Sequence, residues 1–218
     1  MKASRFITKL LDSLYHNSPS AYYRGVSDTE HRLLPTIGRH PHLDGSGLLN
    51  LEQQLLKEFK RCSPPYLPRL PSSEFEWLLI AQHYGIPTRL LDWTTNPLVA
   101  LYFAVCSSPD KPGCIYSIHN IEVIDRPTER DPFDIEGPSA VFPTLIDQRV
   151  SNQAGLFTIQ RNPCQPLTHE TIKTIVIDRA LKEDVKCWLR WVGITTSFLF
   201  PSLTSLASEL KMEYGFSR

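Results

Sequence analysis

The stretch AQHYGIPTRLLDWTTNPLVALYFAV, residues 81–105, limits what the chain can fold into more than any other part of it. It sets His83, Thr88, Arg89, Asp92, Thr94 and Thr95 among Ile86, Leu90, Leu91 and Trp93, then turns abruptly apolar. A buried polar group left without a partner costs about 1–3 kcal/mol, so polar groups at this density must satisfy one another. The expected internal solution is an Arg89–Asp92 pair that fixes a bend between two helices. The first helix closes at QHYG. The second opens at a Thr95 or Asn96 cap, with Pro97 at the first helical position, where its missing N–H is harmless. Leu98, Leu101 and Val105 form the buried stripe of that second helix, and Ala100 and Ala104 allow close packing.

The flanking patterns place this block in a larger plan. Phe6, Ile7, Leu10, Leu11 and Leu14 form a helical stripe over residues 4–15. AYYRGVS reads as a strand entering a turn at Gly25. Asn50 is the expected cap of a helix carrying Leu51, Leu55, Leu56 and Phe59, with Gln53 at the reciprocal capping position. Ser72 or Ser73 starts the next helix, which aligns Phe75, Leu79 and His83. Short strands follow at residues 113–119, 155–160 and 171–178. A helix with Leu181, Val185, Trp188 and Leu189 then stops at Gly193, and Ser202 opens a last one with Leu203, Leu206 and Leu210. Residues 120–148 are the least patterned and are expected as a surface loop. Helices, then strands, then helices predict an α+β domain of mixed or antiparallel strands packed with helices, one domain over residues 1–218 with an N-terminal helix in 1–19.

Composition removes several function classes. Lys+Arg and Asp+Glu are both 23, which does not suit a protein held to nucleic acid mainly by phosphate neutralisation. Arg126, Arg130 and Arg149 are the material for a local basic patch. Five scattered cysteines without a CxxC pair read as reduced thiols in a cytoplasmic protein. The N-terminus lacks the apolar core of a signal peptide, and no run approaches the ~18 apolar residues of a membrane span, so no membrane partner is expected. Walker, GxGxxG, HExxH and GxSxG motifs are missing, and His40 and His42 of RHPH read as a solvated loop, so no metal is expected.

Three groups of residues can carry chemistry. Arg24 offers a planar fork suited to a carboxylate or phosphate beside Gly25, although an Arg at a turn is more often a structural ion-pair partner. In the central stretch, Arg89 and Asp92 read as structural, while His83 and the pair Thr94–Thr95 stand equally as site or scaffold. Gln153, two residues before Gly155, presents an amide at the start of a strand.

Together these segments resemble a known family. Tyr23-Arg24-Gly25, RLLPTIGR (32–39), LEQQLLKEF (51–59), the block at 81–104, RVSNQAGLFTI (149–159) and the stretch from Thr174 to Leu210 are similar to the FRG domain. That family is bacterial and phage-borne and is named for its aromatic-Arg-Gly motif. A more distant resemblance is to ADP-ribosyltransferases of the Arg–Ser–Glu type. These have an Arg ending a first strand, a Ser-Thr-Ser-like strand running into a helix, and a Glu near a Gly ahead of a late strand. The chain has Arg24, DWTTNPLVALYFA and QAGLF in that order.

The resemblance implies an ADP-ribosyltransferase-like core with NAD as substrate. The implied activity is ADP-ribosyl transfer or NAD cleavage, in a toxin or phage-defence effector with a protein or nucleic-acid acceptor and an antitoxin or regulatory partner. Tyr23, Arg24, Gly25, Thr94 and Thr95 would bind the dinucleotide, and His83 and Gln153 would be catalytic. The chain departs from the pattern by carrying Gln153 where the transferases have their Glu. An amide can hydrogen-bond a ribose hydroxyl but brings no negative charge to an oxocarbenium-like transition state, and one positioned group is worth about 3–4 kcal/mol there. That departure makes a non-catalytic ligand- or partner-recognition module the alternative.

Overall fold

In the computed structural model, which describes residues 2–17, 20–143 and 147–216, one seven-stranded sheet organises the chain. Its strands are β1 (Tyr22–Val26), β2 (Leu91–Thr94), β3 (Gly113–Ile118), β4 (Glu122–Val123), β5 (Ser139–Val141), β6 (Gly155–Ile159) and β7 (Lys173–Ile177). Their order across the sheet is β4-β5-β6-β2-β1-β3-β7, and all neighbours are antiparallel except β4 and β5. The α-helices of the described residues are α1 (Lys2–Asn17), α2 (Gly45–Cys62), α3 (Glu74–His83), α4 (Pro97–Val105), α5 (Gln148–Asn152), α6 (Lys182–Trp191), α7 (Thr196–Leu199) and α8 (Leu203–Glu213). The fold is α+β, as the order of patterns predicts. None of these helices is long and apolar enough to cross a membrane.

The buried centre is α4. Val99, Ala100, Leu101, Ala104 and Val105 are all fully buried, because α1, α6 and strands β1 and β3 pack around it. Its start is set by Asn96, whose Oδ1 accepts from the Leu98 N–H at 2.9 Å, with Pro97 following. α1 contributes Ile7, Leu10 and Leu14 to this core, the face its sequence stripe predicts. The close approach depends on small residues from both sides. A Cβ on Gly25 would lie 1.7 Å from the Ala100 carbonyl oxygen, and one on Gly113 would lie 2.0 Å from that of Ala104. Gly25 therefore sits inside β1 because α4 leaves no room for a side chain; the expected turn there does not exist.

Four other expectations need correcting. The polar stretch at 91–94 is not a bend between helices but strand β2, in the middle of the sheet between β1 and β6. The Arg89–Asp92 pair does not form: Arg89 is buried on Glu52 of α2, while the Asp92 side chain is 58 % exposed. The chain bends at Arg89 before β2 begins at Leu91, and the Arg89 guanidinium is taken up by Glu52. α2 begins five residues before the expected cap, with Asp44 rather than Asn50 at its N-cap position. The segment 120–148, expected as a surface loop, contributes β4 and the wholly buried β5 to the sheet; residues 144–146 lie outside the described part.

Candidate active-site cleft

β1 and β2 share a single registered pair, Tyr23↔Thr94, whereas β1 pairs with β3 over its whole length. Beyond that pair the two strands part, and the Asp92 carbonyl has no ladder partner on β1. Arg24 fills the role: its Nη1 donates to the Asp92 carbonyl oxygen at 2.5 Å and lies 3.5 Å from the Asp92 carboxylate. The gap continues as a cleft of two chambers. A smaller cavity of about 200 Å³ is lined by Tyr23, Arg24, Gly25, Thr94 and Phe103. A larger one of about 270 Å³ is lined by Leu79, His83, Tyr84, Asp147 and Phe157. Asp92, Trp93, Arg149 and Gln153 line both, so the two are chambers of one cleft.

The cleft carries two guanidinium groups. The Arg24 side chain is 16 % exposed, and its Nε is buried without a hydrogen-bond partner. Burial pushes its pKa down and Asp92 opposes that, but an arginine stays charged throughout. Arg149, on α5, donates from Nη1 to the His83 carbonyl at 3.3 Å and lies over the Phe200 ring at 4.9 Å. Among the described residues it has no carboxylate partner, so its charge is left for the cleft.

Its acids and bases are held from behind. Gln82 donates through Nε2 to both Asp92 carboxylate oxygens at 3.3 and 3.2 Å, and its own Oε1 accepts from the Thr88 hydroxyl at 2.6 Å. The Thr88 bond fixes which end of the amide faces Asp92. His83 Nε2 lies 3.1 Å from an Asp147 carboxylate oxygen, while the other oxygen of Asp147 caps α5 by accepting from Val150 N–H at 2.8 Å. Burial lowers the His83 pKa more than Asp147 raises it, and Arg149 adds to the lowering, so the imidazole is neutral near pH 7.

Of the residues singled out from the sequence, the cleft gathers Tyr23, Arg24, Gly25, His83, Asp92, Thr94 and Gln153. The Thr94 hydroxyl is already committed, donating to the Gln153 carbonyl at 2.6 Å and accepting from Asn96 N–H at 3.0 Å. Gln153 spends its side-chain amide on the Leu199 carbonyl at 3.0 Å. Thr95 is exposed and lines neither chamber; its N–H donates to Ala154 instead. Arg89 is outside the cleft. Sequence reasoning missed Asp147 and Gln82 and saw Arg149 only as surface charge. The one available signal was Asp147 three residues before Val150, an N-cap spacing. No group of three or more His, Cys, Asp or Glu side chains among the described residues is arranged to hold a metal ion.

Residues 19–112 match the family model of the FRG domain. This chain carries an FRG domain. A search of curated proteins and a search of solved structures each returned no significant match. The matched part of the FRG domain spans β1, α2, α3, β2 and α4, and so supplies Arg24, His83, Asp92 and Thr94. Asp147, Arg149 and Gln153 come from the residues after it, which means the cleft closes only when α5 and β6 dock against the FRG strands.

Proposed function

We propose that the cleft binds NAD and that the protein transfers its ADP-ribosyl group or cleaves it. One observation carries this reading. The three segments that resemble ADP-ribosyltransferases lie on β1, on β2 and just ahead of β6, strands that are neighbours in the sheet, and all three face one cleft. In this reading the core is transferase-like and Arg24 and Arg149 take the diphosphate, the anion that planar guanidinium groups bind best. The apolar walls of the larger chamber, Leu79, Tyr84 and Phe157, take a planar ring. Thr94 acts as scaffold by holding the Gln153 backbone, and neutral His83 accepts the proton of the attacking group. A water acceptor gives NAD cleavage; a protein or nucleic-acid acceptor gives transfer. Either suits a bacterial toxin or phage-defence effector restrained by an antitoxin or regulatory partner.

The test is ligand-observed NMR with NAD, wild type beside Arg24→Ala, following free nicotinamide over hours. Wild type is expected to bind NAD and release nicotinamide. Loss of the charge-assisted hydrogen bonds of Arg24 should weaken binding about 10- to 100-fold in a variant that still unfolds cooperatively by circular dichroism. Unchanged NAD binding by Arg24→Ala would remove Arg24 from the site. A second reading, a non-catalytic recognition module, draws on the Gln153 amide being committed to Leu199, where the transferases present a free carboxylate. Binding without nicotinamide release would favour that module.

A further inference from the structure

We infer that Asp92 supplies the negative charge that Gln153 lacks and is the carboxylate facing the ribosyl carbon. The inference rests on the NAD reading above. Its first support is position. Asp92 lines both chambers, as Arg149 and Gln153 do, so a ligand in either one meets this residue. The register puts it on the strand next to β6: Asp92 pairs with Phe157 and Thr94 with Gly155, so Asp92 stands four positions along from Gln153.

The second support is that the carboxylate is both held and available. Gln82, oriented by Thr88, donates to it from one side, and Arg24 stands at 3.5 Å on the other. The carboxylate is held on two sides yet 58 % exposed, so it is both positioned and open to a ligand. It is not needed to anchor Arg24, because the main-chain carbonyl of Asp92 already accepts from that guanidinium. The other cleft carboxylate, Asp147, lines only the larger chamber and is divided between His83 and the α5 cap.

In the reaction the bond from the ribosyl C1′ to the nicotinamide nitrogen breaks, and its electron pair leaves on that nitrogen, so nicotinamide departs neutral. Positive charge spreads over C1′ and the ring oxygen, opposite Asp92. An oxygen of water or of an acceptor hydroxyl then bonds to C1′, and its proton passes to His83. No electrons are exchanged with a further reactant.

Asp92→Asn keeps the shape and the hydrogen-bond acceptor for Gln82 while removing the charge. It is expected to bind NAD within about 3-fold of wild type and to release nicotinamide about 10²- to 10³-fold more slowly. Asp92→Glu, which keeps the charge, should recover about 10-fold or more of that loss. Three results overturn the inference with the NAD reading intact: Asp92→Asn turning over at the wild-type rate, Asp92→Asn losing binding and turnover in step, or a folded Asp92→Glu with no recovery. Wild type that binds no NAD, or binds it without releasing nicotinamide, overturns both.

Discussion

His83 is the side chain whose charge state the cleft controls most directly. Folded, it titrates below the ordinary 6.5, chiefly through burial, with Asp147 pulling the other way and Arg149 reinforcing the shift. The unfolded chain therefore binds this proton more readily than the folded one, and stability falls as pH drops from about 6.5 toward the folded-state pKa. Between about pH 7.5 and about pH 5.5 the unfolding temperature of wild type should fall further than that of His83→Gln. An NMR titration placing the His83 midpoint above 6.5 would contradict this. Arg89 shows the same dependence on surroundings. Its N–H, Nε and Nη2 all donate to Glu52, at 2.8, 3.0 and 2.8 Å, and both residues are nearly inaccessible. Such a pair is tolerated only because every donor facing the carboxylate is used. The density of polar residues at 83–95 correctly demanded partners. It could not show that the partner of Arg89 lies 37 residues away.

At the scale of elements, the start of α6 is tied down by an unusual cation. Lys182 occupies the first helical position, where the helix dipole disfavours positive charge. It is buried there because its Nζ donates to three carbonyls: Ser27 at 2.6 Å, Ser107 at 3.1 Å and Ser108 at 2.8 Å. The first follows β1 and the other two follow α4, so one ammonium joins three elements and sits favourably at the C-terminal end of α4. Lys182→Met should cost about 3 kcal/mol or more, since three inward-facing carbonyls lose their donor together. Urea unfolding measures this, and a change within about 0.5 kcal/mol would show that the carbonyls find other partners. The periodicity of α6 carried part of this information: Lys182 stands at i, i+3, i+7 with Val185 and Leu189, the buried face. What it lacked was any sign of the three carbonyls, which come from two loops distant in sequence.

At the scale of the whole molecule, the two termini contribute unequally. α1 places three buried side chains in the main core, whereas α8 buries none, leaves Leu203 85 % exposed and holds on through Glu209, which accepts from Ser197 N–H at 3.1 Å. A chain ending after Ser202 should melt cooperatively within about 4–8 °C of the full chain, while one beginning at Ser20 should lose its cooperative transition, both by circular dichroism. Equal effects of the two truncations would contradict this division. The sequence alone determined the α+β class, the cap at Ser202, the residue pairs that hold the caps Asn96 and Ser73, the inward face of α1 and the FRG segments within 19–112, because periodicity and capping act within a few turns of chain. Only the tertiary structure decided that 91–94 is a central strand, that Gly25 belongs to packing rather than turning, and that Asp92 faces Arg24. β2 finds Arg24 68 residues before Asp92, and Thr158 65 residues after Trp93. Pairings over such distances return free energy only once the intervening loops have closed, and nothing in a local stretch of residues encodes which closure wins.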